Sequence, residues 1–134
     1  MQTFGGANLT VVNLVTGVVG PVLQIPDGVG DLAIEPGGRT GWATGAGGDG
    51  IGNCQNSCLT PINLVNGVTG TPIALVHAPY GIALTSDGHT AFVTGGGDGT
   101  PAAPDVTEID LASGKAIATL SISGGANDIV NATS

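Results

Sequence analysis

LTVVNLVTG (9–17), LTPINLVNG (59–67) and VTEIDLASG (106–114) are three versions of one pattern, apolar-x-x-apolar-Asn/Asp-Leu-x-x-Gly. Their closing glycines, Gly17, Gly67 and Gly114, stand 50 and 47 residues apart. A second set of segments keeps the same phase. DLAIEPGGRTGWATG (31–45) aligns with GIALTSDGHTAFVTG (81–95) at an offset of 50, and DIVNATS (128–134) aligns with DLAIEPG (31–37) at 97, the sum of the other two. Chance similarity would not give one set of offsets in two independent segments. Self-similarity at this period marks a repeat architecture.

Each unit reads as four short strands. Leu32-Ala33-Ile34 and Ile82-Ala83-Leu84 are apolar runs that end in the turns EPGG and TSDG, where Gly38 and Gly88 suit a positive φ. Gly41–Thr44 and Ala91–Thr94 follow as second strands. The third alternates with period 2, Val106, Glu108 and Asp110 against Thr107, Ile109 and Leu111. The turns VTG, VNG and ASG then lead into a fourth strand within VVGPVLQI, VTGTPIALV and KAIATLSI. No window shows a 3.6-residue apolar stripe, and 25 glycines in 134 residues oppose helices. The fold class expected is all-β, with four-stranded units of the kind found in β-propeller blades.

PYGIALTSDGHTAFVTGGG and VTEIDLASGKAIATLSI, between Pro79 and Ser123, resemble the YVTN family of β-propeller repeats. Phe92-Val93-Thr94-Gly95 stands where that family has Tyr-Val-Thr-Asn, and Trp42-Ala43-Thr44-Gly45 is a poorer copy. The resemblance implies a propeller fold. It leaves function open, because such repeats occur in surface-layer and other extracellular proteins and in parts of redox enzymes.

With the strands of a blade named A to D from inside outward, residues 1–27 supply strands C and D, with a remnant of B at Gln2–Phe4. Residues 28–77 and 78–124 are two full blades, and 125–134 add a lone inner strand A at Asp128–Ala132. These ends are complementary, and three twisted sheets cannot surround an axis without strain. The expectation is closure with other chains: a homodimer sharing blades, or a head-to-tail polymer. A piece of a longer propeller is the third reading. The assembly strands would carry Leu9, Val11, Asp128, Ile129 and Val130.

Charge narrows the partners. Two Lys/Arg against ten Asp/Glu give a net charge of -8. Displacing counterions from phosphates needs a basic patch, so nucleic acid is excluded as a partner, and an anionic membrane surface is disfavoured. With 41% hydrophobic residues the chain has material to bury and is not of disordered composition. It has no apolar run near 18 residues, so no membrane insertion is expected. MQTFGGANLTVV lacks the features of a signal peptide. The segment is therefore read as a mature or excised portion, or as a cytoplasmic protein.

Cys54 and Cys58, the only cysteines, form C-x3-C. A disulfide is the preferred reading and would imply an oxidising compartment. Zinc would need two more ligands, with His77 and His89 distant in sequence, and two free thiols are the remaining choice. Asp49, Asp98 and Asp105 lie in acidic Gly-rich loops that match no known calcium loop, so Ca2+ is only a weak candidate and no cofactor is expected. Asn8 and Asn131 open N-x-T sequons. Asp31 and Asp128 are equivalent under the repeat, at the start of inner strands. They either line a central channel or bond local backbone amides. Trp42 and Phe92 are read as inter-blade core, and His89 as an exposed turn residue. No catalytic residues are assigned, since no nucleophile–base set is present, and GAGGDG and GGGDG lack the rest of a P-loop.

Two functional classes remain. The first is a non-enzymatic extracellular or cell-surface module that assembles through its termini, as scaffold or recognition element for a cell-wall, glycan or protein ligand; its variant is a subunit of a filament or surface layer. The second is a fragment of a propeller enzyme, lactonase-like or redox. It is disfavoured by two His, two Glu and one Arg.

Overall fold

The repeated Asn/Asp is a turn-former, and the local structure shows why the pattern demands it. In the computed structural model, which describes residues 7–25, 29–45, 58–75, 79–95, 106–122 and 128–131, Asn13 Oδ1 accepts from the amides of Val15 (2.9 Å) and Thr16 (3.1 Å). Asn63 Oδ1 does the same for Val65 (2.9 Å) and Asn66 (3.3 Å). Asp110 Oδ2 accepts from the Ser113 amide (3.2 Å). Each turn closes as the glycine amide donates to the carbonyl four residues back, Gly17 to Asn13, Gly67 to Asn63 and Gly114 to Asp110. These glycines have φ of 73°, 76° and 68°, a region that side chains avoid.

The described residues form ten strands: β1 (Ala7–Val12), β2 (Val19–Ile25), β3 (Asp31–Ile34), β4 (Thr40–Gly45), β5 (Cys58–Asn63), β6 (Ile73–Ala74), β7 (Pro79–Leu84), β8 (Thr90–Gly95), β9 (Val106–Asp110) and β10 (Lys115–Leu120). They form a β1–β2 hairpin and two antiparallel four-stranded sheets, β3-β4-β5-β6 and β7-β8-β9-β10. Neighbours in sequence are neighbours within each sheet, and β2–β3 and β6–β7 are the crossings from one sheet to the next. The β3–β4 and β7–β8 turns place Gly38 (φ 71°) and Gly88 (φ 75°) at the same step.

The sheets pack face to face, so the central strands are apolar on both sides. One core lies between the two four-stranded sheets: Trp42 and Leu59 against Ile82, Leu84, Ala91, Val93 and Ile109. A second lies between the hairpin and the first sheet: Leu23 against Ala43 and Ile62, with Leu9, Leu32 and Leu64 beside them. Phe92, unlike Trp42, is only half-buried.

Two strands differ from the sequence reading. The fourth strand of the middle unit shortens to Ile73–Ala74. Pro72, directly before the strand, has no amide to give to the ladder. The lone inner strand expected at Asp128–Ala132 is not formed over 128–131: these residues make no ladder pairing. A strand needs a ladder partner: in the two complete sheets the inner strand pairs with the strand that follows it, β3 with β4 and β7 with β8, and among the described residues none follows 128–131. The expected remnant at Gln2–Phe4 lies outside the described residues.

Candidate functional site

The first residues of β3 and β7 and the segment 128–131 lie side by side, and the polar side chains there bind backbone. Thr44 and Thr94, both wholly buried, occupy equivalent places on β4 and β8. Thr44 Oγ1 accepts from the Asp31 amide (2.9 Å), and Thr94 Oγ1 accepts from the Gly81 amide (2.8 Å). The Thr44 hydroxyl also donates across the sheets to the Tyr80 carbonyl (3.2 Å).

Asp31 completes the connection. Its Oδ1 accepts from the Leu32 amide (2.8 Å) and its Oδ2 from the Ile82 amide of the next sheet (3.0 Å). Ile82 is buried, so its amide depends on that carboxylate. Gly81 stands where the other two units have Asp. A Cβ there would lie 3.0 Å from Asp128 Oδ1, 3.1 Å from Asp128 Cα and 3.1 Å from Thr94 Oγ1, so the close approach of 128–131 depends on glycine. Asp128 Oδ1 accepts from its own Ile129 amide (2.8 Å), and Asn131 Nδ2 donates to the Leu84 carbonyl (2.7 Å).

A groove of about 510 Å³ runs over these three inner segments, from Asp31–Ile34 across Ile82–Ser86 to Asp128–Asn131. Among the described residues no group of three or more His, Cys, Asp or Glu is placed to hold a metal. The structure thus brings together Asp31, Asp128 and Asn131, while Asn8 sits apart, exposed on β1 and paired with Gln24. His89 is exposed, and its amide donates to Asp87 Oδ1 (3.0 Å). Trp42 packs in the core between sheets and donates from Nε1 to Glu35 Oε1 (2.8 Å). Cys58 is buried at the head of β5 and is not a free thiol. Cys54, His77, Asp49, Asp98 and Asp105 lie outside the described residues. Sequence reading missed Thr44 and Thr94, although the shared A-T-G and V-T-G endings of β4 and β8 signalled them.

Two exposed carboxylates are held below the usual range. For Asp87 the main cause is the Thr85 hydroxyl, followed by the His89 amide. For Asp110 it is the Ser113 hydroxyl, followed by the Ser113 amide. Both stabilise turns.

Solved structures with the same arrangement are β-propeller proteins. Hydrazine synthase from Kuenenia stuttgartiensis superimposes with a TM-score of 0.66 at 18% identity, over 89% of this chain and 31% of that one. AztD from Citrobacter koseri gives 0.64 at 17% identity for the apo structure and 0.62 at 16% for a second crystal structure. Each covers 94% of this chain and 32% of the AztD chain. The chain is built of β-propeller blades. It spans about a third of the length of the propeller chains it matches. No protein-family model matches it, and no curated protein matches it either.

Proposed function

We propose that the chain is a non-enzymatic propeller module of the YVTN type, extracellular or at a cell surface, with a scaffold or recognition role, whose propeller is completed by blades from outside the 134 residues. The observation that carries this reading is the state of the two outermost faces. Ile62 and Ile109 are wholly buried against the preceding sheet, whereas their repeat equivalent at the first sheet, Val12, is 45% exposed. Ile73 is half-buried against the following sheet, whereas its equivalent at the last, Leu120, is 52% exposed. Exposed contiguous apolar surface marks an interaction face.

The polar residues at the inner strands support a structural role over a chemical one: Asp31, Thr44, Thr94 and Asn131 all spend side-chain atoms on backbone groups. A Cys54–Cys58 disulfide and glycosylation at Asn8 or Asn131 would fit an oxidising, extracellular setting. The test is light scattering coupled to size-exclusion chromatography. A mass of twice 12.9 kDa supports a shared-blade dimer. Polydisperse, very large particles support the head-to-tail polymer. A folded monomer at every concentration removes self-assembly.

A further inference from the structure

Resting on that reading and specifying its contact, we infer that the blade partner is a second copy of this chain, docked head to tail, with Leu120 and Phe92 of one copy seated on Val12, Leu14 and Gly17 of the other.

The contact is the third occurrence of one that the chain already makes twice. At the first junction Gly67, in the turn after β5, faces β2 of the hairpin: a Cβ on it would lie 3.0 Å from Leu23 Cδ2 and 3.2 Å from Leu23 Cβ. At the second junction Gly114, in the turn after β9, faces Ile73, whose Cγ1 is 3.4 Å from the same notional atom. Repeat offsets turn Gly67–Leu23 into Gly114–Ile73 and then into Gly17–Leu120. Among the described residues that last pair is unmet: none of them lies within 4 Å of the Cβ position of Gly17, and Leu120 is 52% exposed.

The neighbouring positions agree. Ile62 and Leu64 pack on the hairpin, Ile109 and Leu111 pack on the first four-stranded sheet, and their equivalents Val12 and Leu14 are 45% and 93% exposed. Trp42 is 8% exposed under the next sheet, and its equivalent Phe92 is half-buried, lining a cavity with Ile129, Val130 and Asn131. Each end therefore presents one half of an interface whose two halves meet twice inside the chain. A copy of the chain carries the complementary half at its other end, which makes the contact heterologous: a ring where the rotation closes, a filament where it does not. Ile129, equivalent to Leu32 and Ile82, already begins the covering blade over β7.

The experiment uses the 134-residue chain with Val12→Asp at one end and Leu120→Asp at the other. Both residues are about half-exposed in the single chain, so each variant is expected to keep its circular dichroism spectrum. Light scattering should show the wild type associated and each variant alone monomeric, with association weakened at least about 30-fold, as for a central interface residue. An equimolar mixture should recover a species of twice 12.9 kDa holding one copy of each, because one junction in the pair is then native on both sides. Should either aspartate variant unfold, Val12→Thr and Leu120→Thr carry the same test. If both variants associate like the wild type, self-assembly stands and this contact is overturned. If both are monomeric and the mixture stays monomeric, the head-to-tail order is overturned. A wild type that never exceeds 12.9 kDa overturns self-assembly itself, and this contact with it.

Discussion

Asp31→Ala should cost about 2–4 kcal/mol, a large share of the roughly 5–15 kcal/mol that hold a domain together. The Asp31 carboxylate accepts two backbone hydrogen bonds, 2.8 Å from the Leu32 amide and 3.0 Å from the Ile82 amide. Bonds to an ionised group contribute about 1.5–3 kcal/mol where water cannot replace them. Ile82 is only 4% exposed, so its amide loses close to that full amount. Leu32 is half-exposed, and water recovers part of its loss, leaving about 0.5–1 kcal/mol. Asp128→Ala is the internal control: it removes the same local bond, to the Ile129 amide, and among the described residues its carboxylate accepts from no other sheet, so it should cost no more than about 1 kcal/mol. Asp31→Asn keeps one acceptor and should fall between. Urea unfolding followed by tryptophan fluorescence reads all three, since Trp42 lies in the core that the Asp31 bond spans. One protein concentration is needed throughout, because association shifts apparent stability. Equal costs for Asp31→Ala and Asp128→Ala would refute the idea that Asp31 joins two blades.

Trp42→Ala should destabilise by about 3–5 kcal/mol through the cavity it leaves, whereas Phe92→Ala, at a half-buried site, should cost clearly less in a dilute sample; denaturant midpoints compare them. Acid should loosen the turns at Asp87 and Asp110. Both carboxyls sit below their ordinary value of 3.8 in the folded chain, so their contribution is present above that value and disappears as pH falls through the lower folded value. Asp87→Asn and Asp110→Asn should flatten the stability–pH curve below about pH 4 and leave its neutral portion unchanged in slope. The proposed Cys54–Cys58 disulfide closes a very short loop, so its reduction should cost about 2 kcal/mol on a chain-entropy account; thiol titration before and after reduction, with a thermal melt, checks it. Gly81→Ala should displace 128–131 from β7, seen as faster hydrogen exchange at Ile129 with β3–β6 unaffected.

Strand positions were legible because the repeat says the same thing more than once. The Asn/Asp-Leu-x-x-Gly element fixes its turn with a side-chain acceptor at one end and a left-handed glycine at the other, a purely local requirement that sequence carries in full. The single-residue motif that joins blades was less legible. Asp31 reads as a channel carboxylate or a local cap, and only the structure shows its second oxygen on Ile82, 51 residues away. Gly81 stands at the repeat position of Asp31, and the structure gives its reason, the approach of Asp128, again a contact between units. Asp128–Ala132 reads as a strand from its likeness to the segment that opens at Asp31, but strand formation depends on a neighbour as well as on the residues themselves.

The same distinction explains why the ends of the chain hold the functional question. A blade buries apolar side chains on both faces, so its sequence carries interface residues whether or not a neighbour is present in the same chain. Val12 and Leu14 follow the pattern of Ile62 and Leu64, and Leu120 follows that of Leu23 and Ile73, yet among the described residues Val12, Leu14 and Leu120 stay 45%, 93% and 52% exposed. Had these faces been solvent-facing caps, polar substitutions at those particular positions would be expected, as terminal repeats of solenoids show. The hairpin instead keeps Val and Leu there, and β10 keeps Leu120 while its turn-proximal end carries Lys115. Retained apolar character at interface positions, combined with a Gly17 that no described residue approaches within 4 Å of its Cβ position, fits a chain whose outer faces are covered in its working state.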